Sequence, residues 1–214
     1  MSAAAIRLVL ASGSPRRHEL LSRLGIEVTV AAQDVDESAG AGEPPGVHAV
    51  RVARLKAVAA AARHPRRPVL AADTVVALGD RVLGKPRDRA DAFAMLADLA
   101  GRTHTVLTAL VLIWNGEEAA HLEQARVTMA PFRRDLWHWY ANTGEGDDKA
   151  GAYAVQGKGA LLVERVEGNV QAVVGLPLAA LPGLFGRVGL RLVVSGAGLA
   201  LASRGGSPRR VPHG

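Results

Sequence analysis

Ile6-Arg7-Leu8-Val9-Leu10-Ala11-Ser12-Gly13-Ser14-Pro15-Arg16-Arg17 is a mostly apolar run, four small or turn-forming residues, and two arginines heading a segment where Leu20, Leu21 and Leu24 recur at helical spacing before Gly25. The pattern predicts a strand, a tight loop and a helix. Ser14 can cap that helix, and Pro15 suits its first position because a missing N–H costs nothing there. A second strand is expected over 26–32, so the chain starts by alternating strand and helix.

The alternation continues outward from this stretch. A polar, acidic, Gly/Pro-rich loop over 33–46 leads to a long helix over 47–63. Residues 68–72 read as a short buried strand that ends at Asp73-Thr74, followed by 75–78, a turn at Gly79-Asp80 and a hairpin partner at Val82-Leu83. After a loop at 84–87, a helix is expected over 88–99 with Ala92, Met95, Leu96 and Leu99 inward. Two long strands over 103–114 and 117–129 are joined by Asn115-Gly116, a strong hairpin signal. A short helix over 134–142, a hairpin over 161–174 turned at Glu167-Gly168-Asn169, and a helix over 176–187 complete the pattern. The expected fold is α/β, a mixed sheet with flanking helices. One domain is expected over 1–189, with 190–214 as a basic Gly/Ser/Arg-rich extension.

Composition limits the function classes. With 214 residues, 49% hydrophobic and 21% charged, the chain can bury a core. No cysteine is present, which excludes disulfides, Cys-ligated zinc and a thiol nucleophile. The net charge of +6 is concentrated at one end: residues 187–214 hold five arginines and no acid, so residues 1–186 carry 21 basic against 20 acidic groups. A nearly neutral body with 4% aromatics offers little to nucleic acid, and no specific nucleic-acid partner is expected. No run approaches the ~20 apolar residues of a membrane span, and the N-terminus makes a poor export signal, so a cytoplasmic protein without a membrane partner is expected. Of 26 basic residues 22 are arginine, leaving Lys56, Lys85, Lys149 and Lys158. Where arginine is so favoured, remaining lysines point to sites needing a compact ammonium, as on phosphates.

Several segments can carry chemistry. Ser12 to Arg17 places small residues and two guanidinium groups at a helix N-terminus, which favours anions, although an ordinary strand-to-helix turn looks the same. Asp34, Asp36 and Glu37 form an acidic loop that could equally be a solvated turn. Asp73 directly follows a buried run, so it must be paired or do work. Residues 147–157 mix charge, small residues and Tyr153 without periodicity, as a segment does that lines a site or turns tightly. The seven histidines show no paired short spacing, so histidine metal ligation is not expected. There is no G-x-S-x-G nucleophile motif.

Taken together, Leu10 to Arg17, Ala72-Asp73-Thr74-Val75-Val76, Gly84-Lys85-Pro86-Arg87-Asp88 and Asp148-Lys149-Ala150-Gly151-Ala152-Tyr153 resemble the Maf family of nucleoside triphosphate pyrophosphatases, over roughly residues 6–187. The resemblance implies a Maf/ITPase-like fold of two lobes around a central cleft. It also implies cleavage of a nucleoside triphosphate to monophosphate and pyrophosphate, a divalent cation (Mg²⁺ or Mn²⁺) and a homodimer. Carried onto matching positions, Asp73 is the base that activates water. Glu37, from Asp34-Val35-Asp36-Glu37, assists at the metal, so Glu37 and Asp73 are the implied ligands. Ser12, Ser14, Arg17, Lys56, Lys85 and Lys149 are implied on the substrate. Arg16, Thr74 and Gln156 match the subgroup acting on dTTP and UTP, and a glutamine amide can both donate to and accept from a pyrimidine edge. Two alternatives stand beside this one: a house-cleaning pyrophosphatase for 7-methyl-GTP or modified purine nucleotides, and a nucleotide-binding regulator of cell division without turnover.

Overall fold

The structure is a computed structural model, described here for residues 6–196 and 198–204. It contains β1 (Leu8–Ala11), α1 (Pro15–Arg23), β2 (Val28–Val30), α2 (Pro45–Arg63), β3 (Val69–Leu78), β4 (Arg81–Leu83), α3 (Arg89–Leu99), β5 (Thr103–Trp114) and β6 (Glu117–Met129). These are followed by α4 (Arg134–Asn142), β7 (Val163–Gly168), α5 (Val170–Val174), α6 (Leu181–Arg187), β8 (Leu190–Ser195) and β9 (Gly198–Ser203). Seven strands form one mixed sheet in the order β2-β1-β3-β5-β6-β7, with β4 added to β3. β1 lies parallel to β2 and β3, whereas β3, β5, β6 and β7 pair antiparallel. The architecture is a single mixed α/β domain with helices flanking a central mixed sheet, as expected.

Asn115 and Gly116 adopt φ of 51° and 81°, both in the left-handed region that a two-residue hairpin turn requires. Burial explains the alanine content of α2: Ala49, Ala53, Ala57 and Ala60 are fully buried against Val9, Ala11, Ala71 and Ala109 of the sheet. A second cluster packs α1 and α6 on the opposite face around Leu8, Leu10, Leu70 and Phe185. A third, at the far end of the long strands, gathers α3 and α4 around Leu96, Met129 and Tyr140. The ten residues of β3 run from the first two clusters into the third, and Asp73 and Thr74 fall at the passage between lobes. Among the described residues no helix is long and apolar enough to cross a membrane.

The structure departs from the sequence reading at four places. β3 does not end at Asp73: β5 pairs with it from Val69 to Ala77, so the backbone stays extended past the carboxylate. Residues 161–174 are not a hairpin. β7 pairs with β6, and Asn169 then caps α5 by accepting from Gln171 N–H at 2.9 Å, while Gly175 at φ 111° closes it. The final helix is shorter than 176–187 and is preceded by a single turn of 3₁₀ helix at Leu178–Ala180. Finally, residues 190–203 are not a detached extension. β8 and β9 form a hairpin whose Leu190, Leu201 and Ala202 are at most 1% exposed, and Ile6 bridges to Leu201. Its attachment uses two glycines without side chains in the way, since a Cβ on Gly198 would lie 2.9 Å from Gly25 Cα. Residues 205–214 lie outside the described part.

Candidate active site

A cleft of about 770 Å³ opens beyond the carboxyl end of β1 and separates the lobes. Ser12, Ser14, Arg16, Arg17, Glu37, Lys56, Asp73, Thr74, Lys85, Lys149 and Gln156 all line it, although they come from stretches up to 144 positions apart in the chain (156 minus 12).

The charged centre is built from three elements. Lys56, on the inward face of α2, places Nζ 2.7 Å from Glu37 Oε1 and 2.8 Å from Asp73 Oδ1. The acidic loop and β3 therefore meet at one ammonium. Burial alone would raise the Glu37 pKa, but the hydrogen bond and charge of Lys56, with Lys85 and Arg17 behind it, hold it below the ordinary value. The loop itself is tied to α2 further along. Glu43 accepts from Arg51 Nε at 2.7 Å and Nη2 at 2.9 Å, from Gly40 N–H at 3.0 Å, and sits 3.2 Å from His48 Nδ1.

Arg17 differs in kind from the other cations. It is buried, and its guanidinium donates to Gly175 O (2.8 Å), Ser12 Oγ (2.8 Å), Ala72 O (2.9 Å) and Thr74 Oγ1 (2.9 Å). A guanidinium has five N–H donors, so one is left for a ligand. Burial lowers its pKa to about 10, with the Asp73 charge acting against that. Arg17 thus works first as a strut that joins the end of β1, the middle of β3 and the turn after α5. Thr74 is held by the same chain of bonds: Thr108 Oγ1 donates to Ala172 O at 2.7 Å, so it must accept from Thr74 at 2.9 Å, which leaves the Thr74 oxygen accepting from Arg17.

The other cations of the cleft make fewer hydrogen bonds than Arg17. Ser14 occupies the cap position of α1, but its side chain makes no capping bond, so the first-turn N–H groups keep their anion-binding capacity. Arg16 Nη1 is 3.5 Å from Asp148 Oδ2, and Lys149 Nζ bonds Glu145 O and, at 2.5 Å, Asp148 Oδ1. Lys85 and Gln156 are exposed on the cleft wall.

The family model described as Maf-like protein matches residues 7–188. The chain belongs to the Maf family. A dTTP/UTP pyrophosphatase of Myxococcus xanthus (strain DK1622) is 52% identical over 192 residues, covering 90% of this chain and 97% of that protein. One from Anaeromyxobacter dehalogenans (strain 2CP-1 / ATCC BAA-258) is 49% identical over 190 residues, covering 87% and 96%. Among solved structures, a HAM1 protein from Coxiella burnetii superposes with a TM-score of 0.43 at 20% identity, over 59% of this chain and 74% of that one.

The Maf cleft also uses residues that the sequence reading passed over. Thr108 lies within a continuous strand pattern and Gly175 at the junction between an expected hairpin and an expected helix, so neither was singled out. A Cβ on Gly175 would come 3.3 Å from Thr74 Oγ1 and 3.4 Å from Arg17 Nε, which makes the bare backbone part of the strut. His48 lines the cleft from α2 two turns before Lys56, and its link to Glu43 spans a stretch read as loop.

Proposed function

We propose that this Maf protein hydrolyses dTTP and UTP to the nucleoside monophosphate and pyrophosphate. The observation that carries the reading is the meeting of Glu37, Lys56 and Asp73 at one point of a cleft that Lys85 and Gln156 also line. The names of the relatives at 44% to 52% identity support the same substrates.

In this reading the triphosphate lies against the open first turn of α1, Ser12, Ser14, Arg16, Lys85 and Lys149, while the Gln156 amide meets the pyrimidine edge. Asp73 orients a water toward the α-phosphorus and takes its proton. Most of the rate comes from positioning and from neutralising charge that develops on the phosphate oxygens. Among the described residues no three acidic or histidine side chains make a closed metal cage. Glu37 and Asp73 instead offer two converging carboxylates, a donor set that suits a hard divalent cation completed by water and phosphate oxygens. Mg²⁺ or Mn²⁺ held by these two groups would supply further neutralisation of phosphate charge. We place the activity in a reducing compartment, the cytoplasm, in keeping with a sequence that has no cysteine.

The test is product analysis by chromatography after incubation with dTTP, UTP, 7-methyl-GTP and the common purine triphosphates in Mg²⁺. Monophosphate and pyrophosphate from dTTP and UTP are expected. Orthophosphate as the direct product, or faster turnover of 7-methyl-GTP, overturns the assignment.

A further inference from the structure

Gln156 sits at the middle of a span, residues 154–159, that is irregular until a 3₁₀ helix starts at Gly157. The span is fastened by two side chains from elsewhere: Tyr140 on α4 and Glu145 in the turn that follows it. On one side of Gln156, Ala154 N–H donates to Tyr140 Oη at 3.0 Å. On the other, Lys158 N–H donates to Glu145 Oε2 at 3.0 Å and Gly159 N–H to Glu145 Oε1 at 2.8 Å. The two anchors are joined, since Tyr140 O–H donates to Glu145 Oε1 at 3.2 Å. Both flanks of Gln156 are thereby attached to one hydrogen-bonded pair.

The pair is well founded. Tyr140 is fully buried, so its hydroxyl is delivered from a rigid position. Burial opposes the charge on Glu145, but the N–H groups of Gly159 and Lys158, with Tyr140, outweigh it and keep its pKa below the ordinary value. Two glycines make the room. A Cβ on Gly157, at φ 69°, would lie 2.7 Å from Glu145 Oε2, and one on Gly159 would lie 2.7 Å from Tyr140 Oη and 2.2 Å from Ala154 O. The backbone carbonyl of Glu145 in turn accepts from Lys149 Nζ, which connects the anchor to the phosphate side of the cleft.

We infer that Tyr140 and Glu145 are positioning residues for base recognition, holding the 154–159 span so that the Gln156 amide meets a pyrimidine carbonyl and imide edge; the inference rests on the substrate reading given above. Neither side chain needs to touch substrate. Losing one of these hydrogen bonds should loosen the span and blur the difference between a thymine and a cytosine edge, which differ in the donor and acceptor that Gln156 would meet.

The experiment measures kcat and KM for dTTP and dCTP in Tyr140→Phe, Glu145→Gln, Gln156→Ala and the Tyr140→Phe/Gln156→Ala double variant. Tyr140→Phe keeps the buried ring and removes only the hydroxyl. Its dTTP-to-dCTP ratio of kcat/KM should fall roughly 3- to 10-fold through KM, the size expected for one hydrogen bond. Glu145→Gln should do the same. In the Gln156→Ala background the added Tyr140→Phe should move the ratio less than about twofold, because the two act as one unit. If Gln156→Ala lowers the ratio and neither Tyr140→Phe nor Glu145→Gln does, the positioning role is overturned and the pyrimidine reading stands. Should none of the three shift it, both fall. An equal drop with and without Gln156 also overturns the inference, by showing a general structural effect. Where Tyr140→Phe fails to fold, Glu145→Gln decides alone.

Discussion

Lys56 Nζ lies 2.8 Å from Asp73 Oδ1, and the two side chains are only 10% and 11% exposed. The third member of the group, Glu37, is 47% exposed and faces the cleft. One ammonium therefore serves two carboxylates that both line the cleft, Asp73 the more covered and Glu37 the more open. A buried ion pair gives little net stability, because desolvation offsets attraction, but removing one partner strands the other.

Lys56→Met should accordingly lower the unfolding free energy by about 3 kcal/mol, since it leaves Asp73 covered and facing Glu37 with no shared cation. Urea denaturation gives the value, and a loss below about 1 kcal/mol would show that Arg17 or water compensates Asp73.

Asp73→Asn keeps size and hydrogen bonding to Lys56 but cannot take a proton. The expected result is a kcat lower by ~10²–10⁴, with nucleotide binding retained in calorimetry. An unchanged kcat removes Asp73 from the chemistry.

Lys85 is exposed on the cleft wall, without a bond to another described residue. Lys85→Ala should leave stability unchanged and weaken triphosphate binding more than monophosphate binding. Equal losses for dTMP and for inorganic triphosphate would argue against a contact beyond the α-phosphate.

Stability should decline in acid through Glu43. Arg51 above all, then Gly40 N–H and His48, hold its pKa at about 2 against an ordinary 4.5. The folded value is the lower one, so the contribution is complete above about 4.5 and is lost as pH falls toward 2. Glu37 and Asp148 are shifted in the same direction and add to the slope. Glu43→Gln should flatten the acid limb of a stability-against-pH curve; an unaltered limb would mean that the link between the acidic loop and α2 is already open in solution.

The C-terminal hairpin should be needed for folding at least as far as Ser203. Deleting residues 190–214 removes two leucines from the core and uncovers Leu184, Phe185 and Val188, a loss on the order of 5 kcal/mol. Gly198→Val probes the same contact with a single change, pushing a side chain into Gly25 at a cost of about 1–3 kcal/mol. A truncated chain that melts like the full one would mean that β8 and β9 are peripheral after all.

Residue type and order along the chain were sufficient for the alternation at the start and the Asn115-Gly116 hairpin, because apolar period and turn chemistry are local properties, whereas the set of side chains that meet in the cleft was legible only through the resemblance of its motifs to the Maf family. Three things were decided only by the fold. Asp73 sits within a ten-residue strand, since β5 supplies backbone partners on past the carboxylate. The end after Gly189 joins the core because two glycines more than 170 positions apart (198 minus 25) allow their backbones to touch. Arg17, read from its neighbours as a phosphate contact, has four of its donors taken by Ser12, Ala72, Thr74 and Gly175. Which hydrogens remain free for a ligand depends on partners brought in from distant strands, and no local pattern records them.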